Sequence, residues 1–585
     1  MTADSLQPQI TVLDAGGQYC HLIARRVREL GVFSEVRASE TPADELTGRK
    51  GIIISGGPSS VSAPDSPTVD PAIFALGAGV LGICYGQQLM AHLLHGTVRK
   101  GAKGEYGAAV LNIHDSSGVL AGLSPRENVW MSHFDQVEKL PAGFTTIAST
   151  STCEVAAIAD PARRFYGVQF HPEVVHTAKG MEVLSNFLFP ICGCEKDWDP
   201  RGRIASLERE IQAAAAGRNI FFFVSGGVDS SVAYRLCLRA LGKDRVHGAY
   251  VDTGLMREGE TEFVREALGV EVVDARQEFL DALSGATDPE SKRHIIGEQF
   301  VAVQERVLQS GHYLDGEWIL GQGTIYPDTI ESGGTAKADL IKTHHNRVAG
   351  IQKLIDENRI IEPLTSFYKD EVREVGAALG LPDELLHRHP FPGPGLAIRL
   401  LCAAEAAPIV KMGSGRLVPV RSVGVQGDER TYRAVLALDK VIWNDSLLEQ
   451  ATHLINRHAT INRVVALCGT HHSMETMQVA PGRLDRVRLE RLRRADAIVR
   501  RLSHESGFDG SVWQFPVVVI PCGAGDRPDS VVLRPVHSVD GMTAQSVLME
   551  DGLRDRITAQ LLAVPGIAAV FYDLTHKPPG TIEWE

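Results

Sequence analysis

The sequence predicts an α/β chain: two regions built on parallel sheets with helices on both faces, followed by two smaller α+β units. Three observations lead there. Short apolar strands alternate with amphipathic helices through the first part of the chain and again through the middle. Glycine turns close several of those strands, at Gly56-Gly57-Pro58, Gly82-Ile83-Cys84-Tyr85-Gly86 and Ser225-Gly226-Gly227. The last part holds two similar passages about 100 residues apart, read as a repeat.

Length and composition bound the rest. A chain of 585 residues should hold about three or four domains. Hydrophobic content of 44% and charged content of 22% are those of soluble globular proteins. No apolar run approaches the roughly 20 residues of a membrane span. The first residues, MTADSLQPQI, lack a charged segment followed by an apolar one, so no secretion signal is read and the cytosol is expected. Nine cysteines, scattered and odd in number, do not form a disulfide framework. Cys192-Gly193-Cys194 has no second Cys or His pair at zinc spacing, so ordinary reduced thiols are expected. A net charge of −13 argues against non-specific nucleic-acid binding. The expected partners are small molecules, not nucleic acid and not membrane.

In the first region, Ile10-Thr11-Val12-Leu13-Asp14 reads as a strand, with a helix behind it on Leu22, Ile23, Val27 and Leu30. Gly51 to Ile54 is a buried strand ending in the turn Gly56-Gly57-Pro58. Val80 to Ile83 is another, leading through Cys84 into a helix from Gln87 to Leu94. Gly82-x-Cys84-x-Gly86 is a strand-to-helix elbow of the kind that exposes a nucleophile at a sheet edge. A helix N-terminus favours the thiolate form of a cysteine. A lone cysteine after an apolar strand is otherwise simple packing. His171-Pro172-Glu173 follows the strand Tyr166 to Phe170. An imidazole at a strand's carboxyl end can take a thiol proton and later give it to a leaving amine, and a carboxylate two residues on can orient it.

Lys196 to Gly202 breaks the pattern and reads as a linker. The middle region then turns on Phe221-Phe222-Phe223-Val224-Ser225-Gly226-Gly227-Val228-Asp229-Ser230-Ser231. An aromatic strand passes through glycines into a helix, Ser230 to Leu241, whose first N–H groups point at any approaching anion. Gly226 and Gly227 let a phosphate come close, and Ser225, Ser230 and Ser231 add hydroxyls. No lysine follows at the spacing of the loop that grips β and γ phosphates. A bare Gly-Gly turn is also plain chain reversal. Val246 to Asp252 is a second strand, where Val251 is placed to flank an adenine or to pack the core. Gly321 to Asp328 follows the strand Glu317 to Leu320 and opens on the same edge. Lys337, Lys342, His344 and His345 lie close behind, and Lys342 is the one read as a supporting phosphate contact. Arg293 can fork onto a phosphate. The proline-rich His389 to Leu396 excludes helix and central strand and reads as a rigid connector.

In the last region, Val418 to Arg430 with Ile461 to Val465, and Pro516 to Val536 with Ile567 to Phe571, predict two β-β-α-β units. A basic helix from Leu484 to Leu502 introduces the second. The final Lys577-Pro578-Pro579-Gly580-Thr581-Ile582-Glu583-Trp584-Glu585 is stiff and carries a tryptophan costly to expose, so an ordered tail is expected.

Taken as sets, these motifs resemble known families. The glycine turn at Gly56-Gly57, the Cys84 elbow and Gly167-Val168-Gln169-Phe170-His171-Pro172-Glu173 resemble class I glutamine amidotransferases over residues 8–190. That implies a γ-glutamyl thioester on Cys84, His171 as base, Glu173 as its support, and backbone N–H groups at Gly57 and Tyr85 as oxyanion hole. SGGVDSS after a strand resembles the pyrophosphate loop of ATP pyrophosphatases. It implies ATP contacts from Ser225, Gly226, Gly227, Val228, Asp229, Ser230, Ser231 and Val251, with Asp229 a ligand of Mg²⁺. The order of parts, with GTIYPD, HPFPGPGL and KPPGTIEWE, resembles the glutamine-hydrolysing GMP synthetase family in its longer form. By that resemblance the domains are 1–195 (amidotransferase), 196–398 (ATP pyrophosphatase), 399–482 and 483–585 (two α+β units, the second with the XMP-binding tail). XMP is then held by Arg293, Asp428, Gln514, Lys577 and Glu583. The family's short form dimerises through its single C-terminal unit, so a second copy within one chain leaves both monomer and homodimer open.

The chemistry implied is ATP-dependent amination of XMP through an adenylylated O2, using ammonia released at Cys84. Ammonia must travel neutral, which implies a shielded passage. Another amidotransferase-linked pyrophosphatase is one rival reading, such as an NAD synthetase or an enzyme that thiolates tRNA. A catalytically silent nucleotide sensor is another. An RNA substrate would call for a basic surface that this acidic chain does not advertise.

Overall fold

The computed structural model describes residues 7–331, 348–426, 429–538 and 543–585. Lys342 and Asp428 lie outside them. The chain divides into two units, Met1–Ser206 and Leu207–Glu585.

The first unit is built on a nine-stranded sheet. Its strands are β1 (Ile10–Asp14), β2 (Ser34–Ala38), β3 (Gly51–Ile54), β4 (Gly79–Ile83), β5 (Thr97–Ile113), β6 (Arg126–Lys139), β7 (Thr145–Ser149), β8 (Ala157–Asp160) and β9 (Phe165–Val168). Their order is β2-β1-β3-β4-β9-β8-β7-β5-β6. The five from β2 to β9 are parallel, and the other four add on antiparallel. All four residues of β3, Gly-Ile-Ile-Ile, are buried, as a parallel strand covered on both faces requires. The helix Cys20–Glu29 buries Cys20, Ile23, Ala24 and Val27 against the sheet, close to the stripe read from the sequence. Ile23 and Val27 each contribute about 1.5–3 kcal/mol by full burial.

The stretch read as a linker is not free. Trp198 is buried, its ring stacked on Phe33 at 4.6 Å, and Asp197 accepts a hydrogen bond from the Phe33 amide at 2.9 Å. Lysine, aspartate and glycine around Trp198 gave the segment a linker's composition; one aromatic side chain ties it down.

The second unit begins with an all-parallel sheet of β10 (Asn219–Phe223), β11 (Val246–Asp252), β12 (Glu271–Asp274), β13 (Trp318–Gly321) and β14 (Ile360–Ile361), in the order β12-β11-β10-β13-β14. Their carboxyl ends share one edge, so the loops after β10, β11 and β13 meet there.

The C-terminal region holds the repeat and joins its copies. In the first, Gly415–Gln426 pairs antiparallel with Glu429–Leu438, the helix Asp445–Arg457 follows, and Ile461–Thr470 returns parallel. In the second, Val517–Ile520 pairs antiparallel with Asp529–Leu533, the helix Asp551–Leu562 follows, and Ile567–Asp573 returns parallel. The two returning strands pair antiparallel with each other, so one seven-stranded sheet runs through both copies. An exposed edge on each copy is thereby removed. The helix Arg486–Glu505 carries many arginines, yet Leu489, Leu492, Val499 and Leu502 pack into the core below.

Candidate active site

In the first unit the elbow forms because nothing larger than glycine fits beside Cys84. A Cβ on Gly82 would lie 2.4 Å from the Gly86 carbonyl oxygen, and one on Gly86 would lie 2.2 Å from that of Ile54. Cys84 itself adopts φ +53°, a strained conformation for a residue with a side chain. Its amide donates to Val168 O of β9 at 2.7 Å, which pins the turn to the sheet. The helix begins at Tyr85, two residues earlier than the periodicity predicted. Its first N–H groups have no acceptor within the helix.

His171 stands opposite. Its Nδ1 lies 2.6 Å from Glu173 Oε1, and both residues are buried. A Cβ on Gly56 would sit 3.1 Å from His171 Cε1 and 3.6 Å from Cys84 Cβ, so that glycine keeps ring and thiol close. Burial works against the imidazolium. Hydrogen bonds and charge from Cys84 and Glu173 outweigh it and raise the His171 pKa to about 10. The ring therefore holds its proton through the neutral range. Gly57 packs beside the Tyr85 ring, with room for no Cβ because Ala15 O would be 2.3 Å away. Cys84, His171, Glu173, Gly57 and Tyr85 are thus one constellation.

Several residues in its frame carried no sequence signal. Ser132 O lies 3.6 Å from Cys84 Sγ. The Trp130 carbonyl holds the His171 amide at 3.0 Å, the Thr177 hydroxyl holds its carbonyl at 2.6 Å, and the edge of Tyr19 meets its ring at 5.5 Å. All are ordinary residue types brought in by tertiary structure.

In the second unit the loop after β10 has the expected shape. Gly226 takes φ +74°, and the helix Val228–Leu241 begins directly behind Gly227. The hydroxyls of Ser225 and Ser230 meet at 2.9 Å, and that of Ser231 returns to Gly227 O at 2.7 Å. Gly323, after β13, packs against this helix start so closely that a Cβ would lie 2.6 Å from Ser230 N. Val251 is 7% exposed, paired with Val273 of β12 and part of the core. Asp229 Oδ2 is 2.5 Å from Lys369 Nζ, while Oδ1 is buried with no hydrogen-bond partner. Lys369, at the start of the helix Lys369–Ala378, was not found by sequence reasoning: it comes from 140 residues away and sits in no motif. Among the described residues no cluster of three or more His, Cys, Asp or Glu is arranged for a metal.

The residues expected at the XMP site lie around the tail. Glu583 is forked by Arg399 at 2.6 and 2.9 Å. Arg293, on the helix Pro289–Ser310, donates to the Glu585 carbonyl. Beside it, buried Lys292 pairs with the Glu585 carboxyl, and burial lifts that carboxyl to about 7. Gln514 donates to Pro390 O at 3.2 Å. Phe391, next along, lies under the Arg399 guanidinium at 5.3 Å. Lys577 exchanges backbone hydrogen bonds with Ala544. The tail is ordered: Trp584 is fully buried and donates to Asp573 at 2.9 Å. Arg463 and Arg534 bind the backbone of residues 581–583. Two such buried arginines were invisible in a sequence where arginine reads as surface.

Full-length relatives cover 98–99% of the chain, and family models match parts of it. Family models match for "Glutamine amidotransferase class-I" over residues 11–191, "NAD synthase" over 201–274 and "GMP synthase C terminal domain" over 503–584. A probable glutamine-hydrolysing GMP synthase of Leptospira interrogans is 43% identical, across 99% of this chain and 100% of its own length. A glutamine-hydrolysing GMP synthase of Symbiobacterium thermophilum is 41% identical, over 98% of this chain and 99% of its own. One from Caldicellulosiruptor saccharolyticus is 39% identical with the same coverage.

Proposed function

Because this chain belongs to the glutamine-hydrolysing GMP synthase family, we propose that its two centres divide one amination. At the first, Cys84 Sγ attacks the carboxamide carbon of glutamine. The oxyanion that forms is held by the Gly57 and Tyr85 N–H groups. His171 gives its proton to the leaving amide nitrogen, which departs as neutral ammonia, with Glu173 fixing the ring's orientation. Water then cleaves the thioester to glutamate.

At the second, ATP lies with its pyrophosphate on the N–H groups and hydroxyls of residues 225–231 and its adenine beside Val251. The O2 of XMP attacks the α-phosphorus and pyrophosphate leaves. Ammonia displaces AMP from C2, giving GMP. The balance is ATP + XMP + glutamine + H₂O to AMP + pyrophosphate + GMP + glutamate, the chemistry of a ligase. XMP is assigned to Arg293, Gln514, Lys577 and Glu583, with Asp428 retained as a further XMP contact and Lys342 as a supporting phosphate contact at the ATP site, both beyond the described residues. A lone buried acceptor, Asp229 Oδ1, fits a hard cation that keeps its other ligands from phosphates and water. Mg²⁺ held there would offset the charge of the leaving pyrophosphate.

The observation that carries this reading is a buried thiol, imidazole and carboxylate at one sheet edge, in the same chain as a glycine- and serine-lined loop at a helix start at another. The domain limits 1–195, 196–398, 399–482 and 483–585 are part of the same proposal. All nine cysteines are free, which fits the reducing cytosol. Among the described residues no helix is long and apolar enough to cross a membrane. Between monomer and homodimer, pairing of the two repeats within one sheet favours the monomer, and sedimentation would decide it.

The test separates the halves. Cys84→Ala should abolish glutamine-dependent GMP formation and leave the ammonium-dependent reaction; loss of both would refute the division. Asp229→Asn should remove activity with either nitrogen source while Cys84 remains open to alkylation.

A further inference from the structure

One buried carboxylate that the reaction does not use stands between the nucleotide side and the XMP side of the second unit. Asp496, on the helix Arg486–Glu505, is 0% exposed. Its Oδ2 lies 3.4 Å from Arg257 Nε and 2.8 Å from Arg500 Nε, and its Oδ1 lies 4.0 Å from Arg399 Nη1. Arg257 lies in the loop between β11, which ends at Asp252, and the helix Glu260–Leu268. The same helix holds that loop a second time, through Arg493 to the carbonyls of Gly254 and Met256. On the other side Arg399 forks Glu583. Phe391 is shared between the two guanidiniums, 4.4 Å from Arg257 and 5.3 Å from Arg399.

The network is also incomplete. Asp496 Oδ1, Arg257 Nε and Arg399 Nη1 are buried without a hydrogen bond. Burial brings the Arg257 pKa down to about 10, with Arg399 and Arg500 adding to the fall and Asp496 opposing it. A buried charge set with open donors and an open acceptor has a second arrangement within reach. A small movement of the 252–257 loop would change which guanidinium Asp496 satisfies.

We propose that Asp496 is a positioning residue that couples the nucleotide loop after β11 to Glu583, so that nucleotide bound beside Val251 sets the guanidinium that orients Glu583 for XMP. The proposal rests on reading Glu583 as an XMP contact and Val251 as the adenine side. Coupling of this kind is reciprocal: XMP must tighten nucleotide binding by the same factor.

The experiment measures XMP binding by calorimetry to the full chain, with and without saturating α,β-methylene-ATP. The native chain should bind XMP at least about 5-fold tighter with the analogue present, and Asp496→Asn should bring that ratio close to one. Asp496→Asn leaves two guanidiniums without their counter-charge, so its melting temperature is read alongside. Should it not fold, Arg257→Gln carries the test and should lower the ratio in the same way. If both fold, the double variant should lose no more than either single one. A native ratio near one, or a native-like ratio in the variants, overturns the proposal. Glu583→Gln sets the reference: if it leaves XMP affinity unchanged, the assignment of Glu583 falls and the proposal with it. If it weakens XMP while Asp496→Asn and Arg257→Gln keep the native ratio, only the coupling falls.

Discussion

His171 keeps its proton well above the range of an ordinary imidazole because two acceptors, Cys84 and Glu173, hold a buried ring. A histidine raised in this way contributes stability that is complete below its unfolded pKa of 6.5 and fades as pH climbs through about 10. On the mechanism proposed above, it would arrive at the thioester step already able to protonate the leaving amide nitrogen, which then departs as neutral ammonia, with Glu173 supplying part of that hold. Glu173→Gln should therefore lower the titration of the His171 ring by about one unit or more, read from its imidazole NMR signals against pH. Glutamine-dependent turnover should drop by about 10²-fold while ammonium-dependent turnover is unchanged. Cys84, His171 and Glu173 were legible in the sequence as a candidate set because each sits in a glycine-flanked or strand-end motif. Lys369 was not, for the opposite reason. Its pairing with Asp229 spans two helices far apart in the chain, and nothing local distinguishes it from a solvated lysine.

Glycine is where an element's geometry shows through. Gly82 and Gly86 are forced by carbonyl oxygens that approach within 2.4 Å of where a Cβ would be, which is why the elbow could be read from residue types alone. Gly323 answers the same constraint from a different element. It lets the loop after β13 close on the start of the helix Val228–Leu241, with only 2.6 Å between a hypothetical Cβ and Ser230 N. Gly323→Ala must move that loop or the helix terminus by a sizeable fraction of an ångström. Displacement on that scale in a phosphate cradle should slow pyrophosphate release by about 10²-fold. Glutaminase turnover, housed in the other unit, should stay at its native value. Equal loss of both activities would show that the contact serves folding of the whole chain. Strand, turn and helix were readable here because each is specified within about ten residues. The docking of one loop on another is not local, and the sequence held no trace of it.

At the scale of the whole molecule, the C-terminal region depends on charges buried where apolar side chains would be expected. Arg463 and Arg534 both contact Asp573 Oδ2, at 2.9 and 2.8 Å, and all three are fully buried. The two strand ends they occupy belong to different copies of the repeat, and Asp573 closes the second. From the sequence the repeat was visible as hydrophobic pattern, and its sheet follows that pattern. The joint between copies was not visible, because a pair of arginines and an aspartate in a strand gives no sign of being inside. Burial favours the neutral acid, yet the two guanidiniums and Thr575 hold the Asp573 carboxyl below its ordinary 3.8. Its contribution to stability is therefore complete above that value and is lost as pH falls through its lower folded pKa. Asp573→Asn leaves both arginines buried without their counter-charge and keeps one acceptor oxygen where Thr575 N and Trp584 Nε1 now use two. Breaking a buried pair in this way costs about 3–5 kcal/mol. Urea unfolding of the second unit should shift by that amount at neutral pH, and the gap between native and variant should narrow as the buffer is taken below pH 3.8. Since Arg463 and Arg534 also bind the backbone of residues 581–583, the variant should loosen the tail first. Protease cleavage near Trp584 should then precede global unfolding, and a tail that stays protected up to the main transition would refute this account of what holds it.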